Sequence, residues 1–216
     1  MLDFKKEFIE FSLKKKALQF GTFILKSGRN SPYFFNTGNF HTGNDIKKIG
    51  YFYATSIINY KIPCNSLFGL AYKGIPITVS TAIALKKKYN LNIPYSFNRK
   101  EKKTHGELGS IIGFKPCSNI IIIDDVITAG TTIQSIFKEI HSTHNYKYTT
   151  TAIVALNRNE IGYKHCSSIQ EIKKKYLCPV YSIITIQDII EFMIQEKKML
   201  SHLEPLYTYI KKYGAQ

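Results

Sequence analysis

The sequence predicts an α/β protein with a parallel, doubly wound sheet, a small N-terminal helix and hairpin flanking it, and one mobile lid loop. Three observations carry the prediction. From Asn44 onward, short apolar runs alternate with longer amphipathic stretches. Four consecutive isoleucines, Ile120–Ile123, read as a strand buried on both faces, and Asp124 and Asp125 follow where that strand meets solvent. The 216 residues show no repeat, linker or composition break, so 1–216 reads as a single domain.

Taken in order, Leu2–Leu18 places Phe4, Phe8 and Phe11 at helical spacing among charges, which predicts an amphipathic helix flanking the core. Strand-like pieces at Thr22–Leu25 and Tyr33–Asn36 flank the turn-forming Ser27–Pro32, so residues 1–40 form the helix and hood hairpin. A helix to about Tyr60, the strand Ser66–Gly69, a helix over Ile77–Tyr89 and a short strand near Tyr95–Phe97 follow. The alternation continues with strand Asn119–Asp124, a helix from about Thr131 to His144, strand Thr150–Leu156, a helix opening at Ser168 and strand Val180–Thr185. Ser168–Glu171 and Ser201–Glu204 carry the S-x-x-E pattern of a capping box, which marks helix starts, and two helices close the chain. Arg99–Phe114 is polar, glycine-bearing and long for an irregular connection, which predicts a functional loop acting as a lid.

Composition narrows the function classes. Hydrophobic residues make up 44% of the chain and aromatics 13%, enough for an ordinary core. The N-terminal stretch mixes acids and bases among its apolar residues, and no run approaches membrane-spanning length, so a cytoplasmic protein is expected. Cys64, Cys117, Cys166 and Cys178 are too far apart for a close zinc pair and too few for a dense disulfide framework, so they read as free thiols. His141 with His144, and His165 beside Cys166, lack further ligands at metal spacing. The net charge of +15 suits nucleic acid, anionic lipid or a polyphosphate ligand. Lysine runs such as Lys14–Lys16, Lys86–Lys88 and Lys173–Lys175 read as solvated helix faces, and that explanation outweighs nucleic-acid binding.

The chemistry concentrates just past the isoleucines. Ligands of open α/β sheets bind at the carboxyl edge of the strands, where Asp124 and Asp125 stand. Thr128, Ala129, Gly130, Thr131 and Thr132 then supply small side chains, hydroxyls and a glycine at a predicted helix N-terminus, where amides and helix dipole converge on a phosphate. Acids before a phosphate cradle suit ribose hydroxyls or a hydrated magnesium ion. The chain has neither the G-x-x-x-x-G-K-[ST] loop of nucleotide-binding proteins nor the G-x-G-x-x-G dinucleotide fingerprint, which disfavours a kinase or dehydrogenase.

The segment Ile120–Thr132, IIIIDDVITAGTT, resembles the phosphoribosyl-pyrophosphate motif of type I phosphoribosyltransferases. The likeness extends over nearly the whole chain, through Leu25–Gly38, Leu67–Ile77, Phe97–Glu107 and Leu156–Arg158, and is closest to the bacterial, orotate-using branch. That resemblance implies transfer of a ribosyl 5-phosphate group from 5-phosphoribosyl 1-diphosphate to orotate, with Mg2+, in UMP biosynthesis. It places the donor on Asp124, Asp125, Val126, Ile127, Thr128, Ala129, Gly130, Thr131 and Thr132, the sugar phosphate on the threonine-rich loop and the ribose hydroxyls on the acids. Tyr72, Lys73, Arg99, Lys100, Lys103 and His105 would surround the pyrophosphate, and Lys26 would lie between donor and base. Lys103, Lys73, His105, Asp124 and Asp125 are the candidate catalytic residues, because negative charge builds on a departing pyrophosphate and fixed cations stabilise it.

For the acceptor, the resemblance assigns Lys26, Phe34, Phe35, Thr128 and Arg158, the arginine fork matching a carboxylate. From the residues alone, Tyr33–Phe35 reads by default as a core or interface aromatic cluster. Magnesium is expected to be held by the donor and water rather than by direct protein ligands. A homodimer is implied, with Lys100, Lys103 and His105 acting in the neighbouring subunit's site. Two departures from the family pattern are Leu70, where proline usually precedes Ala-Tyr-Lys, and Leu108, where the lid more often has glycine. The rival readings are transfer to a purine or uracil, and a nucleic-acid-binding regulator on the same fold.

Overall fold

The computed structural model describes residues 1–25, 27–103, 109–126, 137, 149–161 and 168–215, without the side chains of 101–103, 109 and 168. Its frame is a sheet with strand order β5-β4-β3-β6-β7-β8, made of β3 (Ser66–Gly69), β4 (Tyr95–Lys103), β5 (Gly109–Gly113), β6 (Asn119–Ile123), β7 (Thr149–Asn157) and β8 (Val180–Thr185). All neighbouring pairs are parallel except β4 with β5. The expected parallel sheet is therefore present, with one antiparallel edge.

The isoleucine strand explains the layering. Successive side chains point to opposite faces, and all of Ile120–Ile123 are buried. Ile121 and Ile123 join Ile153, Ala155 and residues of α2 (Gly43–Asn59) and α3 (Gly74–Tyr89) in the larger core. Ile120 and Ile122 join Phe68, Ala152 and Val154 on the other face, covered by Ile172 of α4 (Ser168–Tyr176). Helices thus pack on both faces, as a doubly wound sheet requires. Truncating any one of these isoleucines to alanine costs about 2–5 kcal/mol, because the hole cannot close between two packed layers.

The N-terminal helix α1 (Asp3–Lys14) contributes Phe4, Phe8, Ile9 and Phe11 to the larger core. It ends sooner than expected, since Leu18 already opens β1 (Leu18–Ile24). β2 (Asn30–Phe35) likewise begins inside the segment expected to be a turn. Pro32 is tolerated there because this hairpin has only two strands, and a missing amide hydrogen need not break an interior ladder. α3 starts at Gly74, not Ile77: its first amide already donates to Leu70 O at 2.8 Å, ahead of the first apolar contact that a pattern search registers.

Two further expectations are corrected. The stretch Arg99–Phe114 is not irregular throughout, because β4 runs on to Lys103 and pairs with β5 as an antiparallel hairpin. Its unbroken run of charged residues, RKEKK at 99–103, hides the strand from a search for apolar periodicity. The box expected at Ser201 does not form either: Ser201 lies in a 3-10 turn, and α6 (Leu203–Tyr213) is preceded by His202 with no side-chain cap. Reciprocal boxes occur instead at Thr42 with Asp45 on α2, and at Thr185 with Asp188 on α5 (Ile186–Gln195). Aspartate replaces glutamate in both, so an S-x-x-E search passes over them.

α5 and α6 close the chain, as expected. The helix expected over 131–144 lies outside the described residues except Phe137, which is helical and packs its ring on Tyr176. Cys64, Cys117 and Cys178 are free thiols, while Cys166, His141, His144 and His165 lie outside the described residues. Among the described residues, no helix is long and apolar enough to cross a membrane.

Candidate active site

The carboxyl ends of β3 and β6 lie side by side, Gly69 paired with Ile123. The chain past β3 turns through Leu70–Lys73 into α3, so this turn faces the residues that follow β6. A Cβ at Gly74 would stand 2.5 Å from the Ile123 carbonyl oxygen, and only glycine lets the helix start approach the acidic pair this closely. The Leu70 amide bonds the Ile123 carbonyl at 3.1 Å, and the Ala71 amide donates to Asn98 Oδ1 at 2.8 Å. Leu70 is buried in the second core face, so the departure from proline is filled by apolar packing.

Asp125 is the fixed member of the pair. Its Oδ1 accepts from the Val126 amide at 2.8 Å, and its Oδ2 accepts from both Thr37 Oγ1 and Lys73 Nζ at 2.9 Å. Val126 forms a parallel bridge to Leu156, and the Ala155 amide donates to the Asp125 carbonyl at 2.9 Å. Thr37 was not singled out from sequence, although it falls within the Leu25–Gly38 likeness; it lies 88 residues from Asp125, in the 3-10 turn after the hairpin. It ties the hood to the sheet edge.

Asp124 is held by its backbone, whose carbonyl accepts from Tyr53 Oη at 2.7 Å. Its Oδ1 accepts from the Asp125 amide at 2.9 Å, and its Oδ2 has no partner among the described residues. Burial, reinforced by the adjacent Asp125 charge, raises its pKa from 3.8 to about 7 against the smaller opposing effects of the Asp125 amide and Lys73. Near neutrality this carboxyl can either donate to or accept from a hydroxyl.

The same shift has a consequence for stability. Between pH 4 and 7 the folded chain holds a proton that the unfolded chain has released, so stability falls as pH rises through that window. The full span corresponds to about 4 kcal/mol. Asp124→Asn should flatten this slope and be the more stable protein above pH 7, as measured by urea denaturation at several pH values. An unchanged slope in Asp124→Asn would refute the assignment.

The cationic candidates divide into three groups. Lys73, at the α3 start, is half exposed and paired with Asp125. Tyr72 is exposed beside it, and Lys100 Nζ from the β4 hairpin lies 4.4 Å from the Tyr72 ring centroid, so the hairpin and the 70–73 turn meet. Arg99 lies next to Lys100 on β4, as does the Lys103 backbone at its end. Lys26, His105, Leu108, the side chain of Lys103, and Ile127, Thr128, Ala129, Gly130, Thr131 and Thr132 lie outside the described residues.

The aromatic trio separates by depth. Tyr33 and Phe35 are buried, Phe35 packing on Phe8, whereas Phe34 is partly exposed and stacks on Phe23 with ring centroids 5.4 Å apart. Of the three rings, Phe34 is the partly exposed one. Arg158 lies just past β7 with its Cζ 4.0 Å from the Tyr33 ring centroid. Its Nε donates to Glu160 Oε1 at 2.6 Å and its Nη2 to Ser31 Oγ at 2.8 Å and Tyr209 Oη at 3.4 Å. Sequence reasoning missed Ser31, Glu160 and Tyr209, whose roles appear only once the hairpin and α6 pack against the end of β7. Among the described residues, no group of three or more His, Cys, Asp or Glu is placed to hold a metal ion.

No family model matches the chain. It is 52% identical over 216 residues to an orotate phosphoribosyltransferase of Buchnera aphidicola subsp. Acyrthosiphon pisum (strain Tuc7), covering 99% of this chain and 100% of that protein. An orotate phosphoribosyltransferase of Photorhabdus laumondii is 46% identical over 214 residues, covering 99% and 100%. The crystal structure of orotate phosphoribosyltransferase from Francisella tularensis superposes with a TM-score of 0.85 at 34% identity, covering 96% of this chain and 99% of that one.

Proposed function

The chain belongs to the orotate phosphoribosyltransferase family, and from that premise we propose that it transfers the ribosyl 5-phosphate group of 5-phosphoribosyl 1-diphosphate to orotate. The products are orotidine 5-monophosphate and pyrophosphate, in the penultimate step of UMP biosynthesis. The observation that carries this reading is the Asp124–Asp125 pair at the sheet's carboxyl edge, with Lys73 bonded to Asp125 at 2.9 Å. Two acids and a cation thus stand together where α/β sheets hold ligands, which supports hydroxyl and pyrophosphate binding there.

In the reaction a ring nitrogen of orotate bonds to the anomeric carbon as the bond from that carbon to the pyrophosphate oxygen breaks, and the nitrogen's proton leaves to water. Asp124 and Asp125 would hold the ribose hydroxyls, and the threonine-rich loop after them the 5-phosphate. Lys73, Arg99, Lys100, Lys103 and His105 would meet the charge growing on pyrophosphate, which preorganised cations stabilise more in the transition state than in the ground state. Phe34 would cover the orotate ring and Arg158 would address its carboxylate, with Lys26 and Thr128 at its polar edge.

Magnesium fits this site as a passenger of the donor. Asp124 Oδ2, which has no partner among the described residues, is an open acceptor for a ribose hydroxyl or a water of the hydrated ion. When bound, the ion neutralises pyrophosphate charge.

Orotate absorbance should fall when purified protein, magnesium and 5-phosphoribosyl 1-diphosphate are combined, and not when uracil, hypoxanthine or adenine replaces orotate as acceptor. No orotate consumption would sink the assignment.

We further propose that the enzyme is a cytoplasmic homodimer whose Lys100, Lys103 and His105 complete the neighbouring site. β4 pairs with β3 only over Tyr95–Phe97, so residues 98–103 extend roughly 20 Å beyond the shared ladder. That reach suits a group serving a site on another subunit. Mixing Lys103→Ala chains with Lys73→Ala chains should restore turnover at one of the two sites of each heterodimer. Verified heterodimers as inactive as both parents would defeat the shared site.

A further inference from the structure

We propose that Glu160, together with Tyr209 of the C-terminal helix, is the positioning residue that aims Arg158 at the acceptor's carboxylate. This rests on the acceptor assignment above and adds what makes the arginine selective. A guanidinium carries its donors in a rigid planar fork, so fixing some of them fixes the direction of the rest. Glu160 Oε1 takes Nε at 2.6 Å, Ser31 Oγ and Tyr209 Oη take Nη2, and the Tyr33 ring sets the plane from 4.0 Å away. Among the described residues Nη1 has no partner, and it is the edge left to address a ligand.

Glu160 is itself held from several sides. Tyr209 Oη donates to its Oε1 at 2.9 Å, and Arg29 Nη1 donates to its Oε2 at 3.2 Å. Its backbone forms an antiparallel bridge to Gly214, flanked by amide bonds of 2.8 Å from Ile161 to Tyr213 O and from Ala215 to Asn159 O. The hairpin and the end of α6 therefore converge on one carboxylate, whose second role is to hold the arginine. A carboxylate serving only to tie down α6 would not need its shortest bond to be the one to Arg158.

The test compares two product-like nucleotides differing by the carboxylate, orotidine 5-monophosphate and UMP, in calorimetric titrations of the intact protein. Glu160→Ala should weaken orotidine monophosphate about tenfold and leave UMP within roughly twofold, because only the former uses the aimed arginine. Glu160→Gln, which keeps an acceptor for Nε, should recover most of the loss. If Glu160→Ala fails to fold, Tyr209→Phe carries the test, with a selective loss of roughly threefold expected. Equal weakening of both nucleotides, or of neither, in a folded variant overturns the positioning role. A parent protein that binds both nucleotides equally overturns the acceptor assignment instead.

Discussion

Lys103→Ala is expected to lower kcat by about 10²- to 10³-fold, with little change in the affinity for orotate. The pyrophosphate leaves with charge that grows as its bond to carbon lengthens, and a cation placed against it acts mainly in the transition state. Lys103 is at the far end of β4, paired in register with Gly109, on the part of the hairpin that runs past the ladder shared with β3 and is proposed to reach the neighbouring site. Lys73 is a poorer substitute, because Asp125 already claims its ammonium. Lys100 lies over the Tyr72 ring, nearer the base of the hairpin. Steady-state kinetics with both substrates varied separates the cases. A Lys103→Ala enzyme retaining more than a tenth of the parental kcat would remove this lysine from the chemistry.

Arg158→Ala should act on binding and stability together. Loss of a charged hydrogen bond to the acceptor raises the KM for orotate by about 10- to 100-fold and leaves that for the donor nearly unchanged. The truncation also strips Glu160 of a buried partner, and breaking a buried pair costs about 3–5 kcal/mol. Arg29 and Tyr209 still contact Glu160, so the lower end is expected, about 3 kcal/mol. For a chain of this size that is a fall in Tm of roughly 6–12 °C. Arg158→Lys keeps charge but not the fork, so it should recover more stability than orotate affinity. An Arg158→Ala enzyme with parental KM for orotate would show that this arginine is purely structural.

How much of this could be read in advance depended on the range of the interaction. Ile120–Ile123 announced a strand buried on both sides, and the acids at its end announced a ligand edge, because both signals are contiguous. The outer half of β4 was hidden, since residues 99–103 are all charged and offer no apolar alternation, while Lys103 pairs with Gly109 of β5. The clasp of Thr37 on Asp125 and the seat of Arg158 among Ser31, Glu160 and Tyr209 were hidden for another reason. Except for Glu160, their partners are 51 to 127 residues away, and no local periodicity encodes such meetings. The resemblance named Arg158 without its surroundings, which are what limit it to one free edge.

Four identical side chains in a row also carry a hazard. Because a one-place slip of β6 exchanges isoleucine for isoleucine over most of its length, apolar packing alone discriminates poorly between neighbouring alignments. The discrimination must come from the ends. At the start, Asn119 amide and Nδ2 both donate to Asn65 Oδ1, and the Asn65 amide donates back to the Asn119 carbonyl. At the finish, Tyr53 grips the Asp124 carbonyl while Thr37 and Lys73 grip the Asp125 carboxylate. The residues proposed to hold the sugar therefore also index the strand, so errors in that alignment would misplace the very groups that ligand binding could later detect.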